Sequence, residues 1–296
     1  MASLRDMRAK IQSVKNTQQI TRAMRMVSAA KLRRAQDQIV NMRPYANKIL
    51  QIMSDIASTQ RVEHQLLSGA ADSKKILMVI LTSDRGLCGG FNSNINRFTE
   101  KFIKENTSKY EKIDYVFIGR KGADYFKRRG IQPKKVMLNL AREISYSLAA
   151  EVANMCMTEF MNGDYDEIRL VYNEFKSAIS QNLTVETLLP IDISKHATKN
   201  EEDVKFPFSK DLIFEPTPEA MIEELLAQHF SVQVYRCMSE SVAAEHAARM
   251  TAMENATKNA KEMIGKLTLI YNNVRQASIT RELIEICSGA EAVSSS

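Results

Sequence analysis

The sequence of 296 residues has no tryptophan, only six prolines and ten glycines, and no long apolar run. The run ILMVIL, at residues 76–81, is far shorter than the roughly 20 residues that a membrane-spanning helix needs. The beginning of the sequence, MASLRDMRAK, contains no apolar stretch of the signal-peptide type. We therefore predict a globular protein that neither spans a membrane nor is exported.

Cysteine and histidine are scarce and scattered. The cysteines lie far apart and form no CxxC pair, so neither a disulfide framework nor a zinc site is predicted. No HExxH motif, mixed His/Cys cluster or GxSxG nucleophile motif is present. The residues concerned are Cys88, Cys156, Cys237, Cys287, His64, His196, His229 and His246. The sequence predicts reduced thiols, no metal and no catalytic residues.

Helix-breaking residues are rare at both ends of the chain. Residues 1–68 contain no glycine and one proline, Pro44. Residues 219–296 contain no proline and only Gly265 and Gly289. Because glycine and proline are the main breakers of helices, the two ends are predicted to be long helices. The middle holds eight of the ten glycines and is predicted to be rich in turns.

Both ends carry a seam of positions in alternating steps of three and four. The first seam comprises Leu4, Met7, Ile11, Val14, Gln18, Thr21, Arg25, Ser28, Leu32, Ala35, Ile39 and Met42. The second comprises Val232, Tyr235, Ser239, Val242, His246, Arg249, Met253, Ala256, Ala260, Met263, Leu267, Ile270, Val274, Ala277, Arg281 and Ile284. Such seams are typical of coiled coils. We predict that the helices of residues 1–68 and 217–296 pair antiparallel within one chain; two separate amphipathic helices lying on the central domain are the alternative.

The two ends differ in charge. Residues 1–43 hold ten Lys/Arg against two acids, a net charge of +8, and residues 215–296 hold seven Lys/Arg against eleven Glu, a net charge of −4. Opposite charges suit the two helices to lie together, although each exposed ion pair contributes little. The basic helix also admits another class, a coiled-coil protein that binds nucleic acid or acts as a scaffold. Against a nucleic-acid partner, the positive charges interleave with the seam and no aromatic stacking platform is present.

Strand-like and helix-like segments alternate in the middle of the chain, residues 69–195. KKILMVILT and IDYVFIG predict strands that are each followed by a helical segment, and DEIRLVYNEFKS and QNLTVETLLPID predict two further strands. This alternation predicts a Rossmann-like α/β domain, with residues 196–216 as a linker. The predicted fold class is α/β: a long antiparallel coiled coil of the terminal helices with an inserted Rossmann-like domain.

The segment SDRGLCGGFN, residues 83–92, joins a predicted strand to a predicted helix in the manner of a phosphate-binding turn. A P-loop requires Lys and Ser/Thr after its last glycine, but here Phe and Asn follow. A dinucleotide site requires GxGxxG and an acid at the end of the second strand, where this sequence has GRK. We interpret the glycines as allowing a tight turn and predict no bound nucleotide or other cofactor. The missing ligands also argue against a nucleotide-dependent enzyme.

Three segments resemble the gamma subunit family of F-type ATP synthases. They are KIQSVKNTQQITRAMRMVSAAKLRRAQ (10–36), ARMTAMENATKNAKEMIGKLTLIYNNVRQASITRELIEICSGAEAV (248–293) and SDRGLCGGFN. The resemblance implies a non-catalytic rotor shaft that turns inside a hexamer of α and β subunits. It implies that the shaft couples proton translocation through the membrane ring to ATP synthesis and hydrolysis on the β subunits.

The resemblance also implies contact residues, partners and a location. The positions that match the family's contacts with the α/β hexamer are Arg22, Met24, Arg25, Arg275, Gln276, Thr280 and Glu285. An arginine on the shaft can meet an acidic loop of each β subunit in turn through charge-assisted hydrogen bonds. The epsilon subunit and the membrane c-ring are expected to meet the globular end, including residues 191–214. No transit peptide precedes the first helix, which implies a peripheral protein on the cytoplasmic face of a bacterial inner membrane.

Overall fold

The computed structural model describes residues 4–59, 65–67, 74–138, 145–177, 180–191 and 218–294. The predicted linker, residues 196–216, lies outside these ranges, as does most of the segment expected to face the membrane ring. The described elements, in chain order, are α1 (Leu4–Thr59), β1 (Lys75–Leu81), α2 (Phe91–Asn106), β2 (Lys112–Ile118), α3 (Arg120–Lys127), β3 (Lys135–Met137), α4 (Tyr146–Met161), β4 (Glu167–Phe175), β5 (Gln181–Leu189) and α5 (Pro218–Ser294).

The chain forms two compact units. Residues 1–28 with 250–296 form the coiled-coil unit, and residues 29–249 form the sheet unit. Helices α1 and α5 each contribute residues to both units. The mixed α/β class and the long terminal helices are therefore as predicted.

The sheet unit is built on five strands in the order β3–β2–β1–β4–β5. β1 pairs in parallel with β2 and with β4, and β2 pairs in parallel with β3. β5 runs antiparallel to β4 at one edge. The central strand β1 is buried from Ile76 to Leu81, as expected for an apolar run in a parallel sheet covered on both faces.

Each face of the sheet has its own hydrophobic core, because alternate residues of a strand point to opposite sides. Leu77, Val79 and Leu81 of β1 pack with residues of α4 and α5. Ile76, Met78 and Ile80 pack instead with residues of α2 and α3. Helices α2 and α3 therefore cover one face of the sheet, and α4 with part of α5 covers the other.

Two elements differ from the sequence prediction. Strand β3 was not predicted, because its three residues are too few to show an alternation of apolar and polar side chains. Helix α1 was predicted over residues 1–68, but it ends at Thr59, and residues 65–67 form a turn. Helix α5 runs from Pro218 through Gly289 to Ser294, within the predicted range 217–296. A single exposed glycine costs a helix only about 1 kcal/mol relative to alanine, which is too little to end it.

The seam predicted for α1 is confirmed along its whole length. In the coiled-coil unit its members are half-buried, except for Thr21 and Ser28, which are fully buried. In the sheet unit Leu32, Ala35 and Ile39 are fully buried. The polar middle of the seam, which weakened the coiled-coil pattern in the sequence, is thus enclosed like its apolar ends.

Beyond Ala260 the seam predicted for α5 is only partly right: Leu267 and Val274 are half-buried as predicted, but the other members are exposed. Met263 and Ile270 are 49% and 47% exposed, and Ala277 is exposed as well. The enclosed side of the helix instead follows Ile264, Leu267, Tyr271, Val274 and Ser278. A helix of 3.6 residues per turn drifts about 20° per heptad away from a strict 3.5-residue repeat. For this reason the strict repeat, continued along α5, named Met263, Ile270 and Ala277, each of which lies one residue before an enclosed position.

Candidate functional site

The loop between β1 and α2, residues 83–90, is closed by its own polar groups. The backbone amide of Ser83 donates to Asn92 Oδ1 (3.0 Å), and Asn92 Nδ2 donates to Ser83 Oγ (2.7 Å). The Ser83 hydroxyl donates in turn to the carbonyl of Arg85 (2.5 Å). Gly89 adopts a φ of 58°, which a glycine reaches without strain. The geometry is that of a tight strand-to-helix turn, in agreement with the interpretation from the sequence.

Residues that follow β1 accept hydrogen bonds from the first backbone amides of α3. The amide of Arg120 donates to Asp84 Oδ1 (3.0 Å), and that of Gly122 donates to Thr82 Oγ1 (3.0 Å). At the end of β2, where dinucleotide-binding folds carry a ribose-binding acid, Gly119 packs directly against Thr82. Asp84 and Thr82 therefore pair the first amides of α3 with protein groups.

The loop also packs on helix α5 within the sheet unit. Cys88 lies in a small buried cluster with Ala244. Arg249 Nη2 donates to the carbonyl of Gly86 (3.4 Å) and lies 2.7 Å from Glu245 Oε1 in a largely buried ion pair. Arg249 lies on the predicted seam, but its contact with the loop was not expected from the sequence. The sequence indicates this ion pair only through Glu245 and Arg249, which lie four residues apart within the alanine-rich stretch VAAEHAARM.

Burial shifts the pKa values of the groups around this contact. Burial raises the pKa of the Glu245 carboxyl, and the nearby Arg249 opposes that rise. Burial, with Arg249 and Lys31, lowers the pKa of His246 to about 4. His246 is therefore neutral at pH 7, with Arg249 Nη1 3.3 Å from its Nδ1. A buried, neutral histidine on a helix seam is a packing residue, as the sequence indicated.

Neither a metal site nor a membrane span is found among the described residues. In those ranges no group of three or more His, Cys, Asp and Glu side chains is arranged to hold a metal ion. No helix there has a stretch that is both long and apolar enough to cross a bilayer. His229 is buried on α5 like His246, whereas His64 and His196 lie outside the described ranges.

The four thiols differ in accessibility, which predicts their reactivity. Burial raises the pKa of Cys88, Cys156 and Cys237, to about 12 for Cys156, whereas Cys287 is exposed. Because the thiolate is the reactive form, we expect an aromatic disulfide reagent to modify one thiol rapidly in the native chain and all four in denaturant. Cys287→Ser is expected to abolish the rapid phase. Rapid modification of a second native thiol would contradict the buried positions.

Helices α1 and α5 pair antiparallel in the coiled-coil unit. Three contacts join them: Arg8 Nε to the Tyr271 hydroxyl (2.6 Å), Thr21 Oγ1 to Thr257 Oγ1 (2.8 Å), and Arg25 Nη1 to Glu254 Oε1 (3.4 Å). As the position rises along α1, the position on α5 falls by nearly the same number. The antiparallel pairing predicted from the two seams is therefore present in this unit.

Packing and neutral hydrogen bonds matter more than charge in this pairing. The side chains of the Arg25–Glu254 pair are 43% and 60% exposed, so water and salt screen their attraction. The hydroxyl contact of Thr21 lies instead on the enclosed seam, and Thr21 itself is buried. The opposite net charges of the two ends are thus a minor source of stability here.

A disulfide across the pair tests this register. In a Cys287→Ser background, we expect Thr21→Cys with Thr257→Cys to oxidise to a bond within one chain, since the two hydroxyls are 2.8 Å apart. The matched control, Thr21→Cys with Thr268→Cys, moves one thiol roughly 16 Å along α5 and is expected not to form it. Non-reducing gels and peptide mass spectrometry distinguish the products. Bonds only between chains, or equal yields in both variants, would exclude the antiparallel register.

The residues expected to contact the hexamer fall into two groups on the helix pair. Arg22 is exposed, and Met24 and Arg25 are half-buried. The second group is fully exposed on α5: Arg275, Gln276, Thr280 and Glu285. The contact of Arg8 with Tyr271 places Leu4 opposite the neighbourhood of Arg275. The two groups therefore lie roughly 27 Å apart along the helices and do not form one patch.

The last part of α5 continues past the described beginning of α1. It exposes the large apolar side chains of Ile279 (49%), Leu283 (56%), Ile284 (60%) and Ile286 (68%), of which Ile284 belongs to the predicted seam. Contiguous exposed apolar side chains mark a surface that another protein covers. Their exposure could not be read from periodicity, because it depends on where the partner helix begins.

Comparison with known proteins agrees with this geometry. A family model described as ATP synthase matches residues 3–293. The chain is 60% identical over 293 residues to the ATP synthase gamma chain of Bdellovibrio bacteriovorus and 46% identical over 293 residues to that of Geobacter sp. strain M21. In both cases the match covers 99% of this chain and 99% of the relative.

Two solved assemblies contain chains of similar structure. One is the Euglena gracilis mitochondrial ATP synthase OSCP/F1/c-ring, with a TM-score of 0.66, 25% identity, and coverage of 98% of this chain and 94% of that one. The other is the central stalk/c-ring of the Tetrahymena thermophila mitochondrial ATP synthase, with a TM-score of 0.59, 28% identity, and coverage of 80% and 99%. With its paired terminal helices, its inserted sheet and its match over nearly the whole length, the chain belongs to the ATP synthase gamma chain family.

Proposed function

We propose that this chain is the central rotor shaft of an F-type ATP synthase, and that it couples proton translocation through a membrane ring to ATP synthesis and hydrolysis on the β subunits. The observation that carries the proposal is the antiparallel helix pair, from which α5 continues with an exposed apolar surface. Two packed helices resist twisting better than one, as a torque-transmitting element requires. Family membership supports the same role.

The chain itself is proposed to be non-catalytic. The loop that most resembles a nucleotide site uses its serine and asparagine to close its own turn. It offers neither the lysine nor the hydroxyl ligand that phosphate and Mg²⁺ require in a P-loop. The nucleotide chemistry is therefore assigned to the β subunits, and no cofactor is proposed for this chain.

The α and β subunits of the hexamer are the proposed partners of the coiled-coil unit. One contact group is Arg22, Met24 and Arg25, and the other is Arg275, Gln276, Thr280 and Glu285. The exposed pair of Arg25 with Glu254 is worth less than about 1 kcal/mol, so Arg25 can exchange Glu254 for a carboxylate on β at little cost. Weak, exchangeable contacts suit a rotor, because three equivalent positions must have similar energies.

The epsilon subunit and the c-ring are proposed as the partners of the sheet unit. The solved relatives support an assembly of this kind, since one is part of a central stalk/c-ring assembly and the other of an OSCP/F1/c-ring assembly. The segment expected to make these contacts lies largely outside the described residues. The proposed location is the cytoplasmic face of the bacterial inner membrane, where the chain would be a peripheral part of the complex.

A coupling assay tests this proposal. The double variant Arg22→Ala/Arg25→Ala is expected to assemble and hydrolyse ATP but to pump at least about twofold fewer protons per ATP, because each alanine removes a charge-assisted contact. The matched control is Lys15→Ala, which removes an exposed cation elsewhere on α1 and is expected to leave the ratio unchanged. ATP hydrolysis and proton pumping are measured together in inverted membrane vesicles. Failure of the native chain to co-purify with α and β subunits would overturn the rotor function, and an unchanged ratio in the double variant would remove the role given to this group.

A further inference from the structure

Helices α2 and α3 carry a strong excess of positive charge on the outer side of the sheet unit. Together with the turn after α3 they hold eight Lys/Arg against three Asp/Glu, a net charge of +5, and the whole chain has a net charge of +6. The cations are Arg97, Lys101, Lys104, Arg120, Lys121, Lys127, Arg128 and Arg129, and the acids are Glu100, Glu105 and Asp124. We call this the basic face. It covers the side of the sheet opposite to α4 and α5.

The cations of α2 and α3 form one continuous surface. Glu100 of α2 is approached by Lys104 (3.5 Å) and by Arg129 (3.7 Å), which follows α3. Glu100 also accepts a hydrogen bond from the Tyr125 hydroxyl (3.1 Å), which lowers the pKa of its carboxyl. The Arg129 guanidinium stacks 3.6 Å from the Tyr125 ring centroid, and the charge of Arg97 also acts on that tyrosine. A single carboxylate is thus shared by the cations of two helices.

Five of the eight cations have no acidic partner. Arg97, Arg120, Lys121, Lys127 and Arg128 are exposed, and no carboxylate of the described residues lies within 4 Å of their charged groups. Several lysines at the start of the strands are paired instead: Lys74 with Glu111, Lys112 with Asp114, Lys134 with Glu159 and Lys135 with Glu151. On α2, α3 and the turn after α3, by contrast, most of the cations have no acidic partner among the described residues.

The composition of the basic face indicates which class of partner it can bind. No large apolar side chain is exposed on it, so it lacks the apolar anchor that forms the centre of most protein interfaces. Its tyrosine is covered by Arg129, so it offers no free aromatic ring on which a nucleotide base could stack. What remains is several exposed cations on a layer of two helices. Such a surface matches anionic lipid headgroups, which attract basic residues without a shaped pocket.

We propose that the basic face of α2 and α3 binds the anionic phospholipid surface of the membrane. The attraction is electrostatic and peripheral, because no exposed apolar side chain on this face can enter the bilayer. Lipids are fluid, so they rearrange beneath a moving protein and create no fixed binding site. In the rotor function proposed above, such attraction would hold the chain at the membrane without favouring one rotary position.

Vesicle binding of the purified full chain tests the proposal separately from rotation. The basic-face variant carries Arg97→Gln, Arg120→Gln, Lys121→Gln, Lys127→Gln and Arg128→Gln. The control variant neutralises five exposed cations of α1 and has the same net charge: Lys10→Gln, Lys15→Gln, Arg33→Gln, Arg34→Gln and Arg43→Gln. Sedimentation is measured with phosphatidylcholine vesicles with and without about one-third phosphatidylglycerol, at low and high salt. Thermal unfolding of all three proteins is expected to agree, since every substituted residue is exposed.

The native chain and the control variant are expected to bind only the vesicles that contain phosphatidylglycerol, and to release them at high salt. Binding of the basic-face variant is expected to fall by at least roughly 30-fold, the change that follows if two of the five substituted cations contact headgroups at one time. An equal loss in both variants would show attraction by net charge alone and would overturn the proposal. So would equal binding to both kinds of vesicle, or none. If the basic-face variant binds vesicles normally but no longer co-purifies with α and β subunits, the face instead meets an acidic protein.

Discussion

Replacing Gly119 by alanine is expected to prevent the sheet unit from folding, with a loss of about 5 kcal/mol or more in the free energy of unfolding. Gly119 joins β2 to α3 with a φ of 110°, a conformation that other residues rarely adopt. An added Cβ would lie 2.1 Å from the backbone oxygen of Thr82. Neither backbone can withdraw, because Thr82 N is bonded to Ile118 O and Gly119 N to Met137 O, both at 2.8 Å. A clash between two anchored backbones belongs to the small class of severely destabilising changes.

The matched control for this substitution is Gly86→Ala, in the neighbouring loop. A Cβ at Gly86 would meet no atom within 4 Å, and its φ is not in the positive range. We expect Gly86→Ala to change the free energy of unfolding by less than about 0.5 kcal/mol. Urea titration followed by circular dichroism, together with the yield of soluble protein, measures both variants. Equal stability of the two variants would show that the β2–α3 connection is not as tight as its geometry indicates.

The second large effect is expected at Arg236, whose replacement by methionine leaves two half-buried carboxylates without their counter-charge. Arg236 Nη2 lies 2.5 Å from Glu186 Oε1, and Nη1 lies 3.3 Å from Glu240 Oε1. The other Glu186 oxygen, Oε2, accepts a hydrogen bond from the Tyr172 hydroxyl (2.9 Å). Breaking a buried ion pair by removing one partner is far more costly than never forming it. We expect Arg236→Met to lose roughly 3 kcal/mol in the free energy of unfolding.

Two further measurements separate this charge effect from lost packing. Adding Glu186→Gln and Glu240→Gln to Arg236→Met is expected to restore more than half of the loss, because an amide needs no counter-ion. The exposed pair of Lys101 with Glu105 supplies the control, and Lys101→Met is expected to cost less than about 0.5 kcal/mol. If the triple variant is no more stable than Arg236→Met, the loss comes from packing and the buried-charge explanation fails.

The same variant predicts a dependence on pH with a definite sign. Burial already raises the pKa of Glu240 above 4.5 in the native chain, and Arg236 partly opposes that rise. Without Arg236 the pKa of Glu240 in the folded protein rises further. As the pH falls, Glu240 therefore binds a proton in the folded protein before it does so in the unfolded protein. Stability relative to the native chain is therefore expected to recover as pH falls through that folded-state pKa towards 4.5. A stability difference that is constant with pH would contradict this account.

The helical ends and the alternating middle followed from local patterns in the sequence. Runs almost free of glycine and proline predicted α1 and α5, and the apolar run from Ile76 to Leu81 predicted the buried central strand. The missing P-loop lysine and ribose acid were also visible without coordinates. These features depend on residues that are close together in the chain, and secondary structure responds mainly to such neighbours.

The tertiary structure decided which residues meet across long separations. The contact of Arg249 with the carbonyl of Gly86 joins positions far apart in the chain, and no spacing rule predicts it. The same is true of the shared carboxylate of Glu100, which shows that α2 and α3 present one basic surface. In the sequence these cations are ordinary charges on two short helices, and the excess of charge at the N-terminus was the more visible feature.

The enclosed side of α5 could be predicted only in part from the sequence. Periodicity by itself determined that α5 is a long amphipathic helix, because burying one stripe requires side chains three and four residues apart. It did not determine whether Met263 or Ile264 faces the partner helix, because that depends on the twist of α5 relative to α1. Nor did it show where α1 stops covering α5 and leaves Ile279 and Leu283 exposed. The sequence by itself determined the long helices and the longer strands, because each depends on neighbouring residues. The tertiary structure alone decided which of their faces remain open to a partner.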